Sequence, residues 1–236
     1  MNTYQYATGP GGPLLLDEYL PTSSGPFPVA VCIHPGGWVS GSRIEWDTKA
    51  AHLASLGFAA LAIDYTLDHV APWPQQLTDL DNLMTWIGTR PELDSNHIVS
   101  VGGSSGGHLS QVLATMGSRP LRAAVTSSGP SDLTTIAAQV SAVYAAKVDN
   151  LVNAEFPTDA LKFTGSPVKK VSSSTCPLAI YNSSAEIIPA AQAQELADAC
   201  AKQGIEHTLT IVSGTAHAYY GSTIWHEQAA WLKGHV

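Results

Sequence analysis

The sequence predicts an α/β fold, a mostly parallel sheet covered by helices on both faces. Three observations predict it. Short apolar, β-rich runs recur at 28–33, 58–63, 97–101, 121–126, 177–181 and 207–212. Strands buried on both faces read this way, because a parallel sheet shows neither face to water. Stretches with helical spacing separate these runs, and such alternation closes into a parallel sheet through crossover connections. The third observation is the stretch Val101-Gly102-Gly103-Ser104-Ser105-Gly106-Gly107-His108, which sets a Gly-x-Ser-x-Gly pattern between a strand and a helix.

The elements follow in order. Residues 1–12 are polar and rich in Gly and Pro, and read as a loose entry. Leu14 to Leu20 is a candidate edge strand, and Thr22 to Pro26 a turn. Pro28 to Ile33 is a buried strand. Trp46 to Leu56 has helical spacing, closed by Gly57, and Phe58 to Ile63 is the next strand. Pro74 to Ile87 is a helix with Leu77, Leu80, Leu83, Met84 and Ile87 on one face. His97 to Val101 leads into the serine turn, and Leu109 to Met116 is the helix after it. Leu121 to Thr126 is a strand ending in Ser128-Gly129-Pro130-Ser131-Asp132. Residues 133–170 break the rhythm, with one helix expected over Ile136 to Val148. They read as an insertion over the carboxyl edge of the sheet, where lids and pockets sit. Pro177–Tyr181, Ala190–Lys202, His207–Val212 and Ile224–Trp231 then read strand, helix, strand, helix.

With 236 residues, 44% hydrophobic and 13% charged, the chain can bury one substantial core, so a single domain over 1–236 is expected. The net charge of −8 argues against nucleic acid or an anionic membrane surface as a partner, since either needs a basic face. No apolar run reaches the ~20 residues that span a bilayer. Met1 to Gln5 lacks a basic region followed by an apolar stretch, so no secretion signal is expected. Cys32, Cys176 and Cys200 lie far apart without metal-ligand spacing, and read as free thiols in a reducing compartment, the cytoplasm. No metal or organic cofactor is expected.

Chemistry concentrates at three predicted strand ends, where ligands bind in open α/β sheets. A serine on a sharp strand-to-helix corner stands clear of the sheet, and its neighbours must be small. The pattern fits two registers, with Ser104 or Ser105 as nucleophile. Ser104 is preferred because Gly106 and Gly107 then follow the turn, where the helix packs close to the sheet. His34-Pro35-Gly36-Gly37-Trp38 follows the strand 28–33. The N–H groups of Gly36 and Gly37, with that of Ser105, suit a developing oxyanion. His217, after the strand 207–212, has the placement and chain order of a general base. His34 and His108 are read as shaping the turns beside them. Trp38, Tyr65, Trp73, Tyr219 and Tyr220 fall near strand ends as candidate pocket walls, with Trp38 the foremost of them.

From about residue 28 onward the chain resembles the α/β-hydrolases of the small esterase/lipase group. These carry a His-Gly-Gly-Gly-Trp loop and are related to the hormone-sensitive-lipase-like and feruloyl- and acetyl-esterase-like families. His34 to Trp38 matches that loop with Pro for the first glycine. Asp64-Tyr65, the helix 74–86 with Asp79, Gly102 to Leu109, Ser128 to Leu133, Ser166-Pro167 with Val171-Ser172, and Gly214 to His217 match further motifs of the group. The resemblance implies an α/β-hydrolase fold and again selects Ser104. It implies hydrolysis of a small-molecule carboxylic ester, with a short acyl group expected from the short chain, through an acyl-enzyme.

One position departs from the pattern. Counting back from Pro189, Ala185 falls where the resemblance implies the aspartate of the triad. Four readings are open: an engineered Asp→Ala change, substitution by Glu186, substitution by Asp132, or lost hydrolysis. The same residues also suit an amide, formamide, lactone or carbon–carbon bond. A non-catalytic binding protein on this fold is the reading from another class. Oligomeric state is not legible.

Overall fold

The computed structural model describes residues 1–236. Eight strands share one sheet: β1 (Asn2–Gly9), β2 (Gly12–Tyr19), β3 (Phe27–Ile33), β4 (Ala59–Ile63), β5 (Leu93–Gly103), β6 (Ala123–Ser127), β7 (Leu178–Ser183) and β8 (His207–Val212). The helices are α1 (Asp47–Ser55), α2 (Gln75–Ile87), α3 (Ser105–Met116), α4 (Ile136–Gln139), α5 (Ala145–Glu155), α6 (Asp159–Thr164), α7 (Ala190–Lys202) and α8 (Ser222–Lys233). The sheet order is β1-β2-β4-β3-β5-β6-β7-β8. Strands β3 to β8 are mutually parallel, while β1 and β2 join antiparallel at one side. This is the α/β-hydrolase architecture.

Strand periodicity divides the core in two. Along β3, Val29, Val31 and Ile33 face one layer, and Ala30 and Cys32 face the other. The first layer holds Leu80, Leu83 and Met84 of α2, Leu109 and Val112 of α3, and Leu196 of α7. The second holds Ala50 and Leu53 of α1 and Ala229 and Leu232 of α8, over small sheet residues such as Ala60, Ala62 and Ala123. Each fully buried leucine contributes about 1.5–3 kcal/mol relative to exposure. Both faces of the central strands are therefore covered, as the uniformly apolar sequences of β3 and β4 require.

The order of the strands places the site. From β3 the chain steps to β4 on one side, then returns to β5 on the other. The direction of winding reverses between β3 and β5, and this opens a crevice at their carboxyl ends. The loop after β3 carries Gly36 and Gly37. The turn after β5 carries Ser104.

Several elements differ from expectation. Residues 2–9 are a strand, paired with β2 from Asn2↔Glu18 to Gly9↔Gly12, so β2 lies inside the sheet. Gly9 to Gly12 is the hairpin turn, and Gly12 takes φ 119°. Tyr6 is the one buried side chain in β1, too few for a clear apolar alternation. Helix α3 starts at Ser105, not Leu109, because Gly106 and Gly107 are helical. The helix expected over 136–148 is broken. The backbone turns extended at Val140 (φ −68°, ψ 140°), and α5 begins at Ala145. Helices α4, α5 and α6 all fall between β6 and β7, within the predicted insertion.

Candidate active site

Ser104 sits at the corner between β5 and α3 with φ 55° and ψ −122°. A non-glycine residue held there stores about 1–3 kcal/mol of strain. Close backbone packing imposes the corner. A Cβ on Gly102 would lie 2.0 Å from the Gly106 carbonyl oxygen, and one on Gly106 would lie 2.1 Å from the Ile33 carbonyl oxygen. These are the two glycines of the Gly-x-Ser-x-Gly register centred on Ser104. The Ser104 N–H donates to the Ser127 carbonyl at 2.8 Å, which ties the corner to β6.

Ser104, Ser105, Gly36, Gly37, Trp38 and His217 all border one cavity of about 340 Å³. The Gly36 and Gly37 N–H groups donate to no other backbone carbonyl. Ser105 opens α3, where the first N–H groups lack intrahelical acceptors. Tyr65 braces this arrangement from below. Its ring stacks on His34 at 4.2 Å, and its hydroxyl lies 3.1 Å from Ser105 Oγ and 3.3 Å from the His34 carbonyl. His34 is buried, which lowers its pKa, and burial pushes His108 down to about 4. His108 hydrogen-bonds the Gly165 carbonyl at 2.7 Å and packs edge-on against Trp38 and Phe156. It fastens α3 to the segment after α6.

His217 is carried on the loop after β8. The next residue, Ala218, lies so close to β5 that a Cβ on Gly103 would approach its methyl to 2.9 Å. The neighbours of the serine and of the histidine are therefore in contact. His217 Nδ1 is hydrogen-bonded to Glu186 Oε2. The Glu186 side chain is fully buried, and the histidine one-third exposed. Glu186 Oε1 accepts from the Ser183 N–H at 2.7 Å and from the Ser128 hydroxyl at 2.8 Å, and the Tyr220 hydroxyl lies 3.3 Å away. An ionised carboxylate only accepts, so the proton of this pair resides on Nδ1 and leaves Nε2 free. Ser128 also accepts the Ala218 N–H at 2.9 Å, coupling acid and histidine loop through one hydroxyl. The Ser183 hydroxyl donates to the Ala216 carbonyl at 2.6 Å.

The other acid candidates lie elsewhere. Ala185 is exposed, its N–H bonded to the Gly214 carbonyl at 2.9 Å. Asp132 pairs with Lys169 Nζ at 2.5 Å and accepts the Thr134 N–H at 3.0 Å. Burial opposes its ionisation, but Lys169 and Thr134 outweigh that and hold its carboxyl below the usual range. Asp79 accepts from the Thr66 N–H at 2.7 Å and the Gln75 amide at 2.8 Å, remote from the cavity. Of the five aromatic residues expected to wall the pocket, Trp38 does so and the rest are spent otherwise. Trp73 packs on His108 and Phe156, Tyr65 under the loop, Tyr219 over the Lys49 ammonium at 3.8 Å, and Tyr220 on the Ser128 hydroxyl. Ser128 opens a matched motif but its contact with Glu186 carries no sequence signal, nor do Ser183 and the acid-side role of Tyr220, because these contacts join separate elements. Walls from α4 and α5, among them Ile136, Val148, Leu151 and Val152, were likewise not foreseen individually.

Known proteins add the following. The BD-FAE family model matches residues 16–200. A 99-residue stretch is 32% identical to Esterase LipC of Mycobacterium tuberculosis, covering 40% of this chain and 25% of that one. A 128-residue stretch is 34% identical to the non-reducing polyketide synthase pkbA of Emericella nidulans, covering 48% of this chain and 5% of that one. The match thus spans a quarter or less of either relative's length. In fold, the chain superposes on the thermophilic esterase Est2 of Thermogutta terrifontis with a TM-score of 0.80 and 21% identity, over 99% of this chain and 90% of that one. The acetyl ester-xyloside bifunctional hydrolase of Caldicellulosiruptor lactoaceticus gives 0.79 and 20%, over 99% and 94%. No helix is long and apolar enough to cross a membrane.

Proposed function

Because the chain belongs to the BD-FAE family of α/β-hydrolases, we propose that it hydrolyses small carboxylic esters through an acyl-enzyme on Ser104. The observation that carries this reading is the buried Glu186–His217 pair bordering the same cavity as Ser104. His217 Nε2 takes the Ser104 proton as Oγ attacks the ester carbonyl. The carbonyl oxygen gains negative charge and moves toward the N–H groups of Gly36, Gly37 and Ser105. Preorganised donors of this kind are worth about 3–4 kcal/mol each in comparable sites. The intermediate collapses, the alcohol leaves with the proton from His217, and the acyl group stays on Ser104. Water, deprotonated by His217, then releases the acid.

Glu186 is the acid of this reading. It fixes the tautomer and stabilises the imidazolium, with its other oxygen saturated by Ser183 and Ser128. The Ala185 position is then no lesion. The cavity of about 340 Å³ lies at the small end of ligand pockets, which supports short acyl groups. The segment between β6 and β7 acts as a cap over 133–170 of a single domain. The three buried thiols, Cys32, Cys176 and Cys200, fit a reducing compartment, the cytoplasm. Treating the full chain with a fluorophosphonate and mapping the adduct tests the reading. Ser104 is expected to be labelled and nitrophenyl acetate turned over, with Ser104→Ala as the blank. Turnover without a Ser104 adduct, or neither, overturns it.

A further inference from the structure

Among the residues that border the cavity over Ser104, Lys147 is the one lysine or arginine. No carboxylate lines it. Lys147 belongs to the stripe of α5 formed by Lys147, Val148, Leu151 and Val152, all of which border the cavity. Val148 and Val152 are buried, and Leu151 presses on the loop after β3, where a Cβ on Gly37 would lie 3.0 Å from Leu151 Cδ1. These three apolar contacts set the rotation of α5 and with it the place of Lys147 on the wall. Lys147 takes part in none of the ion pairs of the protein. In a chain with 19 acidic residues against 11 Lys and Arg, its cavity carries an uncompensated cation.

We propose that the substrate is an ester that also bears a carboxylate, away from the scissile bond, and that Lys147 is the specificity-determining residue that binds it. This rests on Ser104 being the nucleophile. Lys147 is exposed. An ester filling the cavity displaces water from the apolar walls, and the pair then forms in a medium of lower dielectric. The flexible stem of a lysine reaches a carboxylate on either side of the ester bond, so acyl-side and alcohol-side anions are both within the proposal.

Two matched pairs test it with the full chain. 4-Nitrophenyl hydrogen glutarate against 4-nitrophenyl valerate places the anion on the acyl side. 3-Acetoxybenzoate against phenyl acetate places it on the alcohol side. In at least one pair, Lys147→Met is expected to lower kcat/KM for the anionic member about five- to tenfold, and to leave the neutral member within about twofold. Lys147→Arg is expected to retain the preference, and rising ionic strength to shrink it in the unaltered protein. The pair that responds tells which side carries the anion. If Lys147→Met changes both members of both pairs alike while the neutral esters are turned over, this proposal falls and the ester-hydrolase reading stands. If no ester is turned over and Ser104 resists a fluorophosphonate, both fall.

Discussion

Glu186→Gln separates the proposed acid from every alternative. The change keeps volume and removes charge at a fully buried side chain. Its geometry is dictated by the donors around it. The Ser183 N–H at 2.7 Å and the Ser128 hydroxyl at 2.8 Å already face Oε1, so the amide settles with its oxygen toward them. The amide nitrogen is then left against His217 Nδ1 and presents a donor where an acceptor stood. Nδ1 must lose its proton, Nε2 gains it, and Nε2 can no longer take the proton of Ser104. The opposite rotamer sets an NH2 group against two donors, each unsatisfied contact costing about 1–3 kcal/mol. Removing the charge of a triad acid lowers kcat about 10⁴-fold in the worked serine-protease case, about 5 kcal/mol of barrier. A fall of ~10³–10⁴ in kcat is expected here. KM should move little, since Glu186 does not border the cavity. The assay is steady-state hydrolysis of nitrophenyl butyrate, with a thermal melt to confirm folding. Ala185→Asp belongs beside it. At that exposed position the change is expected to alter kcat less than about threefold, as surface substitutions do. A Glu186→Gln protein within tenfold of the original, or an Ala185→Asp protein faster by orders of magnitude, would refute the reasoning.

Further outcomes follow from the same structure. Ser104→Gly relieves the φ of 55° and should raise the urea midpoint relative to Ser104→Ala, by about 1 kcal/mol of stability, while both abolish turnover. Gly106→Ala places a methyl 2.1 Å from the Ile33 carbonyl oxygen and 2.5 Å from that of His34, both backbone atoms, and should lower stability by at least about 1–3 kcal/mol in the same melt. Glu155 is fully buried with neither carboxylate oxygen hydrogen-bonded, and burial, with Asp68 and Asp79 nearby, pushes its pKa up to about 9. Between its ordinary value of 4.5 and about 9 the unfolded chain has released this proton and the folded one retains it. Its contribution to stability is therefore greatest at low pH and declines as pH rises across that window. Glu155→Gln should flatten the decline in urea midpoints measured across the window, and an unchanged slope would contradict the burial argument.

The legible parts of this protein are those where one local rule suffices. The apolar runs at β3 and β4 announce strands covered on both sides, because nothing polar interrupts them. Ser104 was legible because the corner demands small residues at 102 and 106, and only one register supplies both with Gly107 following. Strand β1 was hidden because it buries a single side chain, Tyr6, and its hairpin turn, Gly9-Pro10-Gly11-Gly12, reads equally as slack chain. The break at Val140 carries neither Pro nor Gly, so packing decides it and spacing cannot. The carboxylate that meets His217 is the least legible point. Counting back from Pro189 points to Ala185 and leaves Glu186 as one of four open readings, whereas in the structure it is Glu186 that bonds His217, held by Ser128 of a loop 58 positions earlier. Such a contact is a property of the folded sheet edge. No window of sequence contains it.

The pairing of Glu186 with His217 has a consequence for how relatives of this chain are sorted. A survey that scores one column for aspartate files this protein among the inactive. Yet what a histidine meets is the end of a side chain, and a longer arm rooted one step along can bring the same charged tip to the same spot. Attachment point and reach trade against each other. Chains with alanine in that column are therefore to be divided by whether a glutamate follows before activity is assigned to either group.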